Sequence, residues 1–182
     1  GSVTVEMISA ETKKAVKGGQ VTIYKIASAE SIEGNNVFVF TDEFAESGVD
    51  INAVTENDSG AKAAASALEK YVDSSDINGT SVDVDKNGQA VCGNLELGLY
   101  LIVNTSPADG YYAVSSFLVT VPRLVNGGYI YDVQANPKVD MAESVPGDNT
   151  GSVGAGDTGK LPQTGQLWWP VPVCAAIGVL LI

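Results

Sequence analysis

The chain has 182 residues, with ten Lys and Arg against 22 Asp and Glu, no His and two Cys, for a net charge of −12. That length holds one ordinary domain plus a tail, and the acid excess speaks against a nucleic-acid partner, which needs clustered Lys and Arg. The lack of His removes the commonest general base and metal ligand, so no enzyme, metal site or cofactor is expected.

Taken in order, Val3-Thr4-Val5-Glu6-Met7 alternates apolar and polar residues and predicts a half-buried strand. Glu11-Thr12-Lys13-Lys14 and Gly18-Gly19 read as turns. Residues 20–27 (QVTIYKIA) alternate again, and Val37-Phe38-Val39-Phe40 is a short strand. Thr41-Asp42-Glu43-Phe44 reads as a capped helical turn. Between residues 61 and 72, Ala64, Ala65, Leu68, Tyr71 and Val72 recur at three- and four-residue spacing, which predicts one inserted helix. Residues 81–84 and 89–92 flank Asp85-Lys86-Asn87-Gly88, whose Asn-Gly predicts a hairpin. Residues 99–103 (LYLIV) form a continuous apolar run, read as a central strand. Residues 117–121 and 129–135 are read as the last two strands. Many short strands at regular spacing predict a mainly β, antiparallel sandwich over residues 1–139. Cys174 lies in an apolar tail, which leaves Cys92 without a partner, so no disulfide is expected.

Asp83-x-Asp85-x-Asn87-Gly88 matches the start of an EF-hand calcium loop, but Asn94 stands where the bidentate glutamate would fall and strands flank it. The turn reading is preferred. From residue 140 to 160 the composition shifts to Gly, Ser, Asp and Pro without periodicity, as in a disordered linker. There follow Leu161-Pro162-Gln163-Thr164-Gly165 and an apolar run to Ile182.

This C-terminal order resembles the cell-wall sorting signal that sortase transpeptidases cut in Gram-positive bacteria. The chemistry suits the residue types. Pro162 holds Leu161 extended, Leu161 offers an apolar anchor, Thr164 supplies the carbonyl that a cysteine thiolate attacks, and Gly165 supplies an unobstructed leaving amine. The resemblance implies that the chain is a sortase substrate, not a catalyst. It also implies a wall or extracellular location, with peptidoglycan or its lipid-linked precursor as one amine donor. Residues 166–182 are read as the start of a transient membrane anchor. The stretch 167–182 has 16 residues, short of the roughly 20 that span a bilayer, so the anchor is expected to be truncated.

The body resembles collagen-adhesin B-type (CnaB) domains and the related domains of sortase-assembled pilins. The likeness rests on the strand–Glu-Thr–Gly–strand order ending at Tyr24-Lys25, and on Leu99-Tyr100 running to Pro107-Ala108-Asp109-Gly110-Tyr111. It implies an immunoglobulin-like fold of the reversed type. Many such domains carry an internal Lys–Asn isopeptide bond assisted by a carboxyl group. Aligning the motifs here puts Met7 at the lysine position, Val103 at the glutamate position and Asn136 at the asparagine position. A thioether cannot attack an amide and a valine cannot move a proton, so no such bond is expected. A shifted bond between Lys25 and Asn136 is the disfavoured alternative to a strand lysine with its head in solvent.

Pilin subunits resembling this chain end a strand in Tyr-Pro-Lys, whose lysine receives the acyl group of the next subunit. Here the sequence is Asn136-Pro137-Lys138, which makes Lys138 the candidate intermolecular acceptor. The small size points to a minor or basal pilin whose partners include other pilin subunits. One alternative is a monomeric wall-anchored adhesin for a host surface protein or glycan, which predicts an exposed aromatic patch or groove and no reactive lysine; another is a major shaft pilin.

Overall fold

The computed structural model describes residues 1–32, 35–51, 54 and 58–142. The chain divides into two units, Gly1–Pro146 and Gly147–Ile182. The LPQTG pentapeptide, the apolar run after it and the predicted linker beyond residue 142 lie outside the described residues.

One sheet has the order β4 (Asn35–Phe40), β3 (Gln20–Ile32), β7 (Gly98–Ser106) and β8 (Phe117–Val121), with β5 (Thr80–Asp83) also paired to β3. The other has the order β11 (Asp132–Ala135), β1 (Ser2–Glu6) and β6 (Gln89–Cys92). A few residues on, the segments of β1 and β11 meet again as β2 (Ile8–Ser9) and β12 (Lys138–Val139). A two-stranded ribbon, β9 (Arg123–Val125) with β10 (Gly128–Ile130), links β8 to β11. Helix α1 (Asp58–Ser74) is inserted between β4 and β5.

Side chains alternate across a strand, and β7 shows the consequence. Tyr100 and Ile102 join Val3, Val5, Val21 and Ile23 in the core between the two sheets. Leu99, Leu101 and Val103 join Ile26, Phe44, Ala65 and Leu68 in a second core beneath α1. The sheet is covered on both faces, which is why residues 99–103 read as an unbroken apolar run rather than an alternating one. In α1, Ala64, Ala65, Leu68 and Val72 are buried as their spacing predicts, and Tyr71 packs its ring 5.9 Å from Phe44. Burying a side chain the size of Leu68 stabilises the fold by about 1.5–3 kcal/mol.

The architecture is a mainly β sandwich with the α-helix Asp58–Ser74 inserted between its strands, as read from the sequence, and three local expectations are corrected. The strands either side of Asp85–Gly88 do not form a hairpin: β5 pairs with β3 and β6 pairs with β1, so the turn carries the chain from one sheet to the other. Its Asn-Gly signal specifies the local turn, closed by Gly88 N–H donating to the Asp85 carbonyl at 3.0 Å with Gly88 at φ 79°, but not the strands' partners. The stretch 129–135 is not one strand, because Gly128–Ile130 folds back on Arg123–Val125 before β11 begins. The pairing is not wholly antiparallel either. β1 runs parallel to β11 and β2 parallel to β12, because the two segments come from opposite ends of the domain with everything between them as the crossover.

Candidate functional site

Lys138 owes its position to strand alternation. Val139 is 3% exposed and packs in the inter-sheet core, so its neighbour Lys138 points outward and is exposed. The backbone around it is tied down on both sides. Ile8 N–H donates to the Pro137 carbonyl at 3.4 Å and Ala10 N–H to the Val139 carbonyl at 2.8 Å. Beyond it, Tyr112 N–H donates to the Asp140 carbonyl at 2.9 Å and Ala142 N–H to the Gly110 carbonyl at 3.0 Å, so the chain stays bonded to the domain as far as residue 142. Pro137 fixes its own φ and donates no N–H, which limits the conformations open to the residue before the lysine.

Lys138 and Asn136 form one wall of an open groove of about 760 Å³. Ser116 and Phe117 also line it, as do Lys62 and Glu69 of α1. Two cations and one acid line it, in a chain that is otherwise strongly acidic. The size falls in the range of ligand clefts. From the sequence Lys62 is only one of the domain's eight lysines and Glu69 is not singled out; the Lys62-Ser66-Glu69 spacing marks one helix stripe, but nothing in it says what the stripe lines.

Lys25 is placed quite differently. Its ammonium donates to the Glu96 carboxylate in an ion pair. That hydrogen bond, reinforced by the charge of Lys25, holds the Glu96 carboxyl below its ordinary value. The stem of Lys25 passes Gly98, where an added Cβ would meet the Ala27 carbonyl and lie 3.4 Å from the Lys25 Cε. Asn136, the other member of the disfavoured internal pair, is exposed in the Lys138 groove.

The three positions set by the isopeptide alignment do not converge. Met7 is 3% exposed in the inter-sheet core, Val103 faces the core beneath α1, and Asn136 is on the surface. Asp85 is committed to its own turn. Its Oδ1 accepts the N–H of Asn87 and of Gln89, each at 2.8 Å, and its Oδ2 accepts from Asn87 Nδ2 at 3.1 Å. These bonds, that from Gln89 foremost, lower its carboxyl below the usual range. Among the described residues, no three His, Cys, Asp or Glu side chains are grouped to hold a metal. Cys92 is a free buried thiol pushed up by desolvation, an environment in which thiols are inert.

No family model matches the sequence and no curated protein matches it. Among solved structures, the full-length major pilin SpaD from Corynebacterium diphtheriae superposes with a TM-score of 0.51 at 22% identity, over 78% of this chain and 30% of that one. The fold is similar to that of a part of this pilin. The major pilin SpaA of the same organism is similar at 19% identity (TM-score 0.47; 77% of this chain, 30% of that one). So is the group B streptococcus pilus 2b backbone protein at 14% identity (TM-score 0.46; 81% and 43%). The chain spans less than half the length of each.

Proposed function

We propose that this chain is a subunit of a sortase-assembled pilus on a Gram-positive surface, in a minor or basal position. The observation that carries the reading is the placement of Lys138: an exposed amine on a strand whose next residue is locked in the core, at the wall of an open groove, in a chain that also carries LPQTG. In this reading the sortase thiolate attacks the Thr164 carbonyl, the Thr164–Gly165 bond breaks, and an amine of peptidoglycan or its lipid-linked precursor resolves the thioester. Lys138 is the amine that receives the sorted threonine of the adjoining subunit. The protein is the substrate in both events and supplies rigid positioning, which the paired backbone on either side of Lys138 provides. The test of the sorting step is Thr164→Ala in the full-length protein. The variant is expected to leave the covalently bound wall fraction and accumulate in membrane and medium. Unchanged covalent retention would contradict the reading.

A second reading, a wall-anchored adhesin, is compatible with the same groove and has one further observation in its favour. An adhesin is expected to display an exposed aromatic patch, and Leu124, Tyr129 and Tyr131 on and beside the β9–β10 ribbon are 62%, 56% and 50% exposed. Exposed apolar clusters of this kind mark interaction surfaces. Leu124→Ser with Tyr131→Ser is expected to abolish host-cell binding in this reading while leaving subunit joining intact. Binding that survives both changes would remove it.

A further inference from the structure

The groove holds two amines. Lys62 lies on α1, whose buried residues Ala64, Ala65, Leu68 and Val72 fix the helix against the sheet. With that packing, the stripe Lys62, Ser66 and Glu69, spaced by four and three residues, lines the same groove as Asn136 and Lys138. Other lysines are placed elsewhere. Lys25 is paired with Glu96, Lys17 lines a separate cleft beside Asp109, and Lys70 is not among the residues lining the groove.

The groove also has the form of a seat for an extended chain. A second cavity adjoins it and shares Phe117, Ala135 and Asn136 with it. Together they follow the line between β8 and β11. Among the described residues, each of these is the last strand of its sheet, paired on one side only, β8 to β7 and β11 to β1. An open strand edge offers N–H and C=O groups to an incoming extended peptide, and a Leu-Pro-x-Thr segment is extended by its proline. Such a peptide, lying between the two edges and running towards Pro137, brings its terminal threonine to the part of the groove that Lys62 and Lys138 share.

We propose that Lys62 is a second acceptor amine for the sorted threonine of a neighbouring subunit, lining the same groove that presents Lys138. This rests on the pilus reading above. The step is a transacylation. The Lys62 ammonium gives one proton to a base of the sortase or to water. The neutral Nζ then attacks the carbonyl carbon of the threonine thioester on the sortase cysteine. The C–N bond forms, the C–S bond breaks, the cysteine leaves as thiolate, and the attacking nitrogen loses its second proton. Nothing is oxidised or reduced. Two acceptors on one groove make joining tolerant of the angle at which the donor arrives.

The test uses full-length protein in cells that assemble the pilus, as wild type, Lys62→Arg, Lys138→Arg and the double variant, with Lys70→Arg as a control on the same helix. The readouts are the heat- and detergent-resistant ladder and tandem mass spectrometry of branched peptides. The expected result is a reduced ladder in Lys138→Arg with branches on Lys62, loss of the ladder above this subunit only in the double variant, and no change in Lys70→Arg. A branch at Lys138 in wild type with no branch on Lys62 in Lys138→Arg overturns this inference and leaves the pilus reading standing. No branched lysine in any sample overturns both. Arginine keeps the charge at each exposed position, and unchanged far-UV circular dichroism excludes misfolding as the cause of a lost ladder.

Discussion

Two strand lysines, Lys25 and Lys138, are treated in opposite ways by the fold. Lys25 projects from β3 in the middle of the larger sheet, and its ammonium is taken up by Glu96. Lys138 projects from the short strand β12, exposed on the wall of a groove. The sequence neighbourhoods differ, the apolar-alternating strand around Lys25 against the polar Gln134-Ala135-Asn136-Pro137 before Lys138, but neither states whether its amine has a partner. What separates them is the surroundings: an acid reached across the β6–β7 turn for one, a gap between two sheet edges for the other. Availability of an amine for acylation is therefore a tertiary property here.

The largest expected effect on this contrast comes from the core beneath Lys138. Met7 is buried next to β2, its N–H donating to the Gly88 carbonyl at 2.8 Å and its carbonyl accepting from Val16 at 2.9 Å. Met7→Ala is expected to cost about 2–5 kcal/mol in urea unfolding. Amide exchange should rise at Val139 before it rises at Lys25. Equal loosening at both would show that the two lysines share one cooperative support.

Gly98→Ala acts on the other side of the comparison. The new methyl group meets the Ala27 carbonyl and crowds the Lys25 stem, so a loss of about 1–3 kcal/mol is expected from overpacking, with Lys138 labelling by acylating reagents unchanged. A fully stable Gly98→Ala would mean that β3 and β7 have more room than the packing allows.

Glu96→Gln is expected to leave stability almost unchanged, because the Glu96 carboxylate is 78% exposed, yet to raise the acylation rate of Lys25 towards that of Lys138. The pH dependence has a definite sign. The Glu96 carboxyl is held below its ordinary 4.5 by the Lys25 hydrogen bond and charge. Its contribution is complete above that value and is lost as pH falls through the lowered one. Carboxyl carbon NMR through the acid range should show the Glu96 midpoint return to the ordinary value in Lys25→Met.

Much of this was legible in the chain. Alternation at Val3–Met7 and the apolar run at 99–103 placed two central strands, and three- and four-residue spacing placed the buried face of α1. The partners were not legible. Asn87-Gly88 announced a turn, but whether the flanking strands pair with each other is decided by which faces of Val84 and Ala90 the cores take up. The ribbon at 123–130 was hidden because its strands bury nothing and so carry no alternation to detect. Pro137-Lys138 could be found by resemblance. The groove could not, since it arises where β8, β11 and α1 meet, and Lys62 is an ordinary helix lysine until the helix is docked.

In the pilus reading Lys138 is a joining site and Lys25 is not. Tandem mass spectrometry of the protein released from purified cell wall tests it most directly. The expected peptide map shows the Lys138 peptide branched to the C-terminal threonine of another subunit, and Lys25 unmodified. The intact mass of unjoined protein should show no loss of ammonia, as the separation of Met7, Val103 and Asn136 requires. An unmodified Lys138 beside a branched Lys25, or a missing ammonia that maps to Lys25 and Asn136, would contradict it.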